Sequence, residues 1–252
     1  MFGYLNYEKL MTQSQEEYNS ALPFKHAVID GVADEEKLSQ VLARFPDKQD
    51  KSWWKYSNDF EKKLAFDKVR EMQTPIKELL IELNSPQFLE VLEKLTGIQG
   101  LIPDPYYRGG GCHQITRGGR LAIHADFNFN PKLKLYRRVN VLLYLNKGWD
   151  SNWKGQLELW NEDMKSCSVS IDPIFNRMVI FNSTETSWHG HPHELECPEN
   201  ISRKSVAVYF YSATPAEGAL EAHSTKYQFL PGEEPTEEQK EFQKVRSKFR
   251  ES

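Results

Sequence analysis

The period of the sequence changes near Ile102, and that change restricts the chain to few folds. Downstream, short runs rich in Val, Ile, Leu, Phe and Tyr alternate with Gly, Pro, Asn and Asp, the pattern of brief strands joined by turns. Strands are expected over 112–116, 120–124, 138–145, 156–160, 168–171, 177–182, about 188–195 and 204–212. A set of short strands spaced in this way suggests a double-sheet jelly roll or a related barrel. Upstream, between Asp34 and about Gly97, apolar residues recur at helical spacing, with Leu38, Val41, Leu42 and Phe45 following a fitting N-cap at Asp34. The stretch from Phe60 through Leu95 also reads as helical, with Pro75 opening one helix, Ser85 or Pro86 the next, and Gly97 closing it. The expected fold class is therefore mainly β with N-terminal helices (α+β), the helices buttressing the outer face of the barrel. No repeat or low-complexity linker divides the chain. Residues 1–104 are expected as a mostly helical region packed on the core, 105–215 as the core, and 216–252 as a charged tail or helix within the same domain.

Charge and apolar runs narrow the partners. A net charge of −4 and a pI near 6.0 give no global attraction to nucleic acid or to anionic membranes, so neither is an expected partner. No apolar run approaches the roughly 20 residues of a membrane span, and the first residues lack a basic segment followed by an apolar one. A cytoplasmic protein without a signal peptide is expected. Cys112, Cys167 and Cys197 are scattered and never spaced C-x-x-C, so they suggest neither a disulfide framework nor a thiolate zinc site.

In LAIHADFNFN, His124 and Asp126 are two apart on an extended segment, so both side chains project to one face. Such a pair is either an ordinary hydrogen-bonded couple or half of a metal site. A third donor, His189, follows the apolar strand Met178 to Phe181 and a polar loop. Two imidazoles and one carboxylate make the facial set that favours non-haem Fe(II) and leaves positions open for other ligands. Arg203, at the start of the last strand, offers a planar fork suited to the far carboxylate of 2-oxoglutarate, with Ser205 two residues on and on the same face. Alone, that pair reads equally as a surface arginine beside a strand serine. Tyr144 shares the parity of Asn140 and Leu142; its hydroxyl either assists the same carboxylate or sits at the rim of the core. RGGGC at 108–112 lacks the G-K-[ST] ending of a phosphate loop and is read as a loop before the first core strand. The basic run PKLKLYRR is either a solvated face or a recognition patch for an acidic peptide or phosphorylated metabolite.

Taken together, HADFN, RRVNVLLYLNKGWD, GQLELW, IDPIFNRMVIFNSTETSWHGHP and SRKSVAVYFY resemble the prolyl-4-hydroxylase-like branch of the 2-oxoglutarate/Fe(II)-dependent dioxygenases. The likeness covers about 105 to 212. It implies a double-stranded β-helix core and hydroxylation of an unactivated C–H bond, with decarboxylation of 2-oxoglutarate and molecular oxygen as cosubstrate. By position, His124, Asp126 and His189 match the iron ligands, Arg203 the carboxylate clamp and Tyr144 the assisting tyrosine. Two departures stand out. His189 and Arg203 are fourteen apart, a longer turn than relatives have, and counting back from Arg203 favours His191 or His193; His189 is preferred and His191 is second. In GQLELW, Gln156 stands where many relatives carry glycine. Gln114 is a further candidate for the cosubstrate. Asn128, Arg138 and Trp160 are candidates for the substrate, and Trp149 and Trp153 for the edge of the cleft. Three readings follow: a hydroxylase of a peptidyl residue such as proline, a hydroxylase of a small metabolite, or a non-catalytic β-sandwich binding module.

Overall fold

The computed structural model describes residues 2–216, 218–219 and 221–248. Its helices are α1 (Tyr7–Met11), α2 (Gln15–Ser20), α3 (Glu35–Ala43), α4 (Thr74–Leu83), α5 (Pro86–Thr96) and α6 (Glu237–Ser247). Its strands are β1 (His26–Asp30), β2 (Trp54–Ser57), β3 (Glu61–Phe66), β4 (Ile102–Pro103), β5 (Gly111–Thr116), β6 (Arg120–Ala125) and β7 (Phe129–Asn130). After these come β8 (Leu135–Tyr144), β9 (Leu157–Trp160), β10 (Cys167–Ile171), β11 (Arg177–Asn182), β12 (His189–His191), β13 (Ser202–Ser212) and β14 (Lys226–Tyr227).

Local chemistry explains the helix limits. The Ser85 hydroxyl accepts from the Phe88 N–H, Pro86 opens α5, and Gly97 ends it in the left-handed conformation that a side chain disfavours. The Asp34 carboxylate accepts from the Lys37 N–H at 2.8 Å and caps α3. Thr236 and Gln239 form a reciprocal capping box on α6, so the charged tail carries a true helix.

All the strands join one curled antiparallel sheet, ordered β1-β11-β8-β13-β5-β3-β6-β12-β9-β10, the jelly-roll arrangement expected. The long strand β13 lies between β8 and β5. Val206, Val208 and Phe210 of β13 face the main apolar core with Ile76, Leu79 and Leu80 of α4 and Phe88, Val91 and Leu92 of α5. Phe88 and Phe210 meet with ring centroids 6.0 Å apart. The N-terminus is tied to this layer by the buried Glu82 carboxylate, which accepts from the Tyr4 and Leu5 N–H groups at 3.0 Å each.

The expected helical character of the first hundred residues needs correction in part. Residues 54–57 and 61–66 form β2 and β3, and β3 sits inside the main sheet, pairing Glu61 with Leu121 and Leu64 with Gln114. EKKLAF alternates burial only loosely and is rich in charge, so its strand character comes from the flanking β5 and β6 and not from its composition. The expected strand over 188–195 shrinks to His189–His191. No helix among the described residues is long and apolar enough to cross a membrane.

Candidate active site

Two bulges aim the polar residues into the sheet's concave side. Between β12 and β6, His189 pairs with His124 but His191 pairs with Leu121, so two steps on β12 match three on β6. The irregularity lets His124 and Leu121, of opposite parity, both face one cavity together with His189 and His191. Gly190 lies between the two histidines, where a Cβ would come within 2.7 Å of the Ala122 carbonyl oxygen and 2.8 Å of that of Leu121. The strands touch there too closely for any side chain.

His124, Asp126 and His189 each present one donor atom, and these atoms lie within 4.8 Å of one another. The Asp126 carboxylate is 3.7 Å from His124 Nε2 and 3.5 Å from His189 Nε2. On the far side of each ring, Nδ1 is bonded to a backbone carbonyl, that of Ala122 at 2.9 Å and that of Ser187 at 2.8 Å. Those bonds set the tautomer with the proton on Nδ1, leaving both Nε2 lone pairs directed at the centre. Burial pushes His124 down to about 3 and also lowers His189, so both rings stay neutral. Burial pushes Asp126 the other way, but the Arg137 guanidinium, with the Asn140 hydrogen bond, outweighs it and holds the carboxyl well below the usual range. A neutral imidazole pair with one carboxylate is the donor set of a facial Fe(II) site, and the group fits.

Asp126 is itself clamped. Arg137 Nη2 and Asn140 Nδ2 both reach its Oδ2 at 2.9 Å, and Arg137 Nε donates to Asn140 Oδ1 at 2.8 Å, closing a ring of three side chains. The guanidinium also lies 3.5 Å over the Tyr209 ring. Arg203 is 4% exposed in the same cavity of about 160 Å³. Its Nε donates to the Gly155 carbonyl at 2.7 Å, and one terminal nitrogen donates to the Tyr144 hydroxyl at 3.2 Å, which holds the fork in place. Ser205 faces the cavity beside it.

Other expected residues lie elsewhere. Gln114 pairs with Lys204 and points away from Arg203; its amide donates to Ser202 Oγ at 2.7 Å. Its neighbour His113, opposite Ser205, faces the cavity in its place. Arg138 bonds Ser212 Oγ at 2.9 Å outside the cavity. The cause is a bulge: Phe210 pairs with Val139 and Tyr211 with Arg137, so Arg138 is the extra residue and parity shifts by one. Asn128 bonds Glu185 at 3.0 Å and the His223 N–H at 2.9 Å, and Trp160 packs with Ile123, Ala125 and Trp188, both away from the cavity. His191 lines the cavity without joining the three-atom cluster, and it is held well below its ordinary value by burial, then by Arg203 and Lys63. Trp149 and Trp153 pack on each other near Leu195, with ring centroids 5.5 Å apart. Sequence reading missed Arg137 as the Asp126 clamp and His113; strand parity relative to Arg203 is the signal that identifies His113.

Comparison with known proteins agrees with this geometry. Residues 110–211 match the 2OG-Fe(II) oxygenase superfamily model. Prolyl 3-hydroxylase OGFOD1 of Mus musculus is 26% identical over 219 residues, 81% of this chain and 38% of that protein. Prolyl hydroxylase EGLN3 of Homo sapiens is 30% identical over 77 residues, 31% of this chain and 30% of that protein. The chain thus spans about a third of the length of these curated relatives. Among solved structures, a Trichoplax adhaerens prolyl hydroxylase bound to a hypoxia inducible factor peptide fragment superposes with a TM-score of 0.59 at 21% identity, covering 82% of this chain and 90% of that one. A Pseudomonas putida prolyl-4-hydroxylase gives 0.56 at 16% identity over 79% and 96%. These two establish the fold. The residues that resemble the 2OG-Fe(II) oxygenase superfamily, 110–211, thus include every donor of the His124, Asp126, His189 cluster and the Arg203 fork, and the relatives named above are prolyl hydroxylases.

Proposed function

We propose that this protein is an Fe(II)- and 2-oxoglutarate-dependent dioxygenase that hydroxylates an unactivated C–H bond of a peptidyl residue, prolyl residues being the first class to test. One observation carries the reading: a facial His124, Asp126, His189 set and a buried, pre-oriented Arg203 share a single cavity. When bound, iron and 2-oxoglutarate supply the oxidising chemistry: one oxygen atom of dioxygen enters succinate, the other the substrate hydroxyl, and CO2 leaves. The chain's own work is positional. His124 and His189 would hold the iron through Nε2, and Asp126 through the oxygen that Arg137 and Asn140 leave free. Arg203 and the Tyr144 hydroxyl would receive the far carboxylate, Ser205 standing beside them. Substrate selection falls to the cavity wall of Tyr209, Phe127 and Tyr227. The relatives' names favour a peptide substrate over a metabolite. A cytoplasmic setting fits three free cysteines.

The test is an anaerobic titration of metal-free protein with Fe(II) and then 2-oxoglutarate, followed in the visible for the metal-to-ligand charge-transfer band. Oxygen and proline-containing peptides come next, with succinate measured. A folded protein that gives no band ends the oxygenase reading. Succinate release stimulated only by free amino acids or sugars moves the assignment to a metabolite hydroxylase.

A further inference from the structure

His191 sits on the same face of β12 as the metal ligand His189, yet its ring is treated differently by the protein. Both metal-facing imidazoles are braced by an Nδ1 bond to a backbone carbonyl. His191 is 3% exposed, its Nδ1 is buried without a partner, and no hydrogen bond reaches its Nε2 among the described residues. A buried ring that leaves its Nδ1 without a partner is uncommon in a folded protein and is destabilising unless something in the cavity completes the bonding of the imidazole. The Asn84, Gln87, Gln114, Asn130 and Tyr211 side chains also hold an unpartnered buried atom, but none of them lines this cavity.

The surroundings say what completes it. His191 shares its cavity with Arg203, Lys63, Ser205 and His113. Lys63 is occupied by Glu61 at 3.1 Å, and His113 Nε2 by the Gly109 carbonyl at 3.0 Å. Arg203 spends two of its nitrogens on Gly155 and Tyr144 and keeps donors over for a ligand. A neutral N–H beside an arginine fork fits an anionic oxygen and repels a second cation. We infer that His191 is a cosubstrate-positioning residue, donating a hydrogen bond to the carboxylate of 2-oxoglutarate that Arg203 receives, and is not an iron ligand. This rests on the oxoglutarate reading of the cavity.

Two variants separate the possibilities: His191→Leu, which removes the donor, and His191→Gln, which keeps an N–H. Fe(II) affinity is measured by competition with a chromophoric chelator, and 2-oxoglutarate Kd by anaerobic titration of the visible band. His191→Leu is expected to raise the 2-oxoglutarate Kd roughly ten- to a hundredfold, the range for a hydrogen bond to a charged group. His191→Gln should recover most of that, and Fe(II) affinity should change less than about twofold in both, the role being confined to the cosubstrate. The metal-free His191→Leu protein should melt at or above the wild-type temperature, because an orphaned polar group has been replaced by an apolar one. Wild-type Kd in the folded His191→Leu protein overturns the inference alone, as does loss of Fe(II) affinity in both variants. Wild-type protein that binds Fe(II) but no 2-oxoglutarate overturns the functional reading with it.

Discussion

The two faces of β13 make different bargains with water. On one face Val206, Val208 and Phe210 pack against α4 and α5 in an apolar layer. On the other, Arg203, Ser205 and Tyr209 line the cavity, with His113, His191 and Arg137 opposite or beside them. Both faces are buried to the same degree, Phe210 at 0% and Arg203 at 4% exposure. The apolar face gains stability from leaving water, whereas the polar face loses hydration and recovers only part of it through internal bonds. A strand so divided shows stability and chemistry carried by alternate residues of one segment.

Substitutions on the two faces should therefore separate activity from stability. Asp126→Asn, which keeps one acceptor oxygen for Arg137 and Asn140 but removes the ligand charge, is expected to lower turnover of 2-oxoglutarate more than about a hundredfold in protein that still folds, beyond what loss of a ligand's outer partner produces. Phe210→Ala should do the reverse, lowering unfolding free energy by about 3–5 kcal/mol in urea titrations while the folded fraction retains its 2-oxoglutarate Kd. Arg137→Leu, removing the clamp on Asp126, should weaken Fe(II) binding by about ten- to a hundredfold in chelator competition.

Acid sharpens the contrast more gently. Burial first, then Lys63 for His113 and His189 for His124, pushes both rings down to about 3, below their unfolded value near 6.5. The unfolded chain therefore takes up these protons first, so the contribution is complete above pH 6.5 and is lost as pH falls toward 3. Between pH 7.5 and 5.5, the metal-free protein should lose about 1.4 kcal/mol for each such ring per pH unit below 6.5, seen as a falling urea midpoint. A flat midpoint across that range would show that the rings take up protons equally in the folded and unfolded chain. Smallest of all, Gln114→Leu should leave the 2-oxoglutarate Kd within about twofold, since its amide bonds Ser202 on the side away from Arg203.

Legibility in the sequence followed the range of the forces at work. The pairing of His124 with Asp126, and of Arg203 with Ser205, rests on the two-residue period of a strand and needed no partner strand to read. Helix ends at Asp34, Ser85 and Gly97 were equally local. Arg137 stayed hidden because a bulge at Arg138 reverses parity, and the bulge exists only against β13. The exchange of Gln114 for His113 has the same origin: the pairing of Ile115 with Arg203 decides which side of β5 faces inward. Strand β3 was invisible for a related reason, since EKKLAF borrows its extended form from β5 and β6.

The close approach at Gly190 bears on how this site can evolve. Every residue except glycine would push β12 off β6 and pull His189 away from His124, although position 190 itself carries no side chain. In a saturation library scored for iron retention, Gly190 should behave as intolerantly as His189 beside it, and a lineage altering its substrate preference must travel through sequences that keep it.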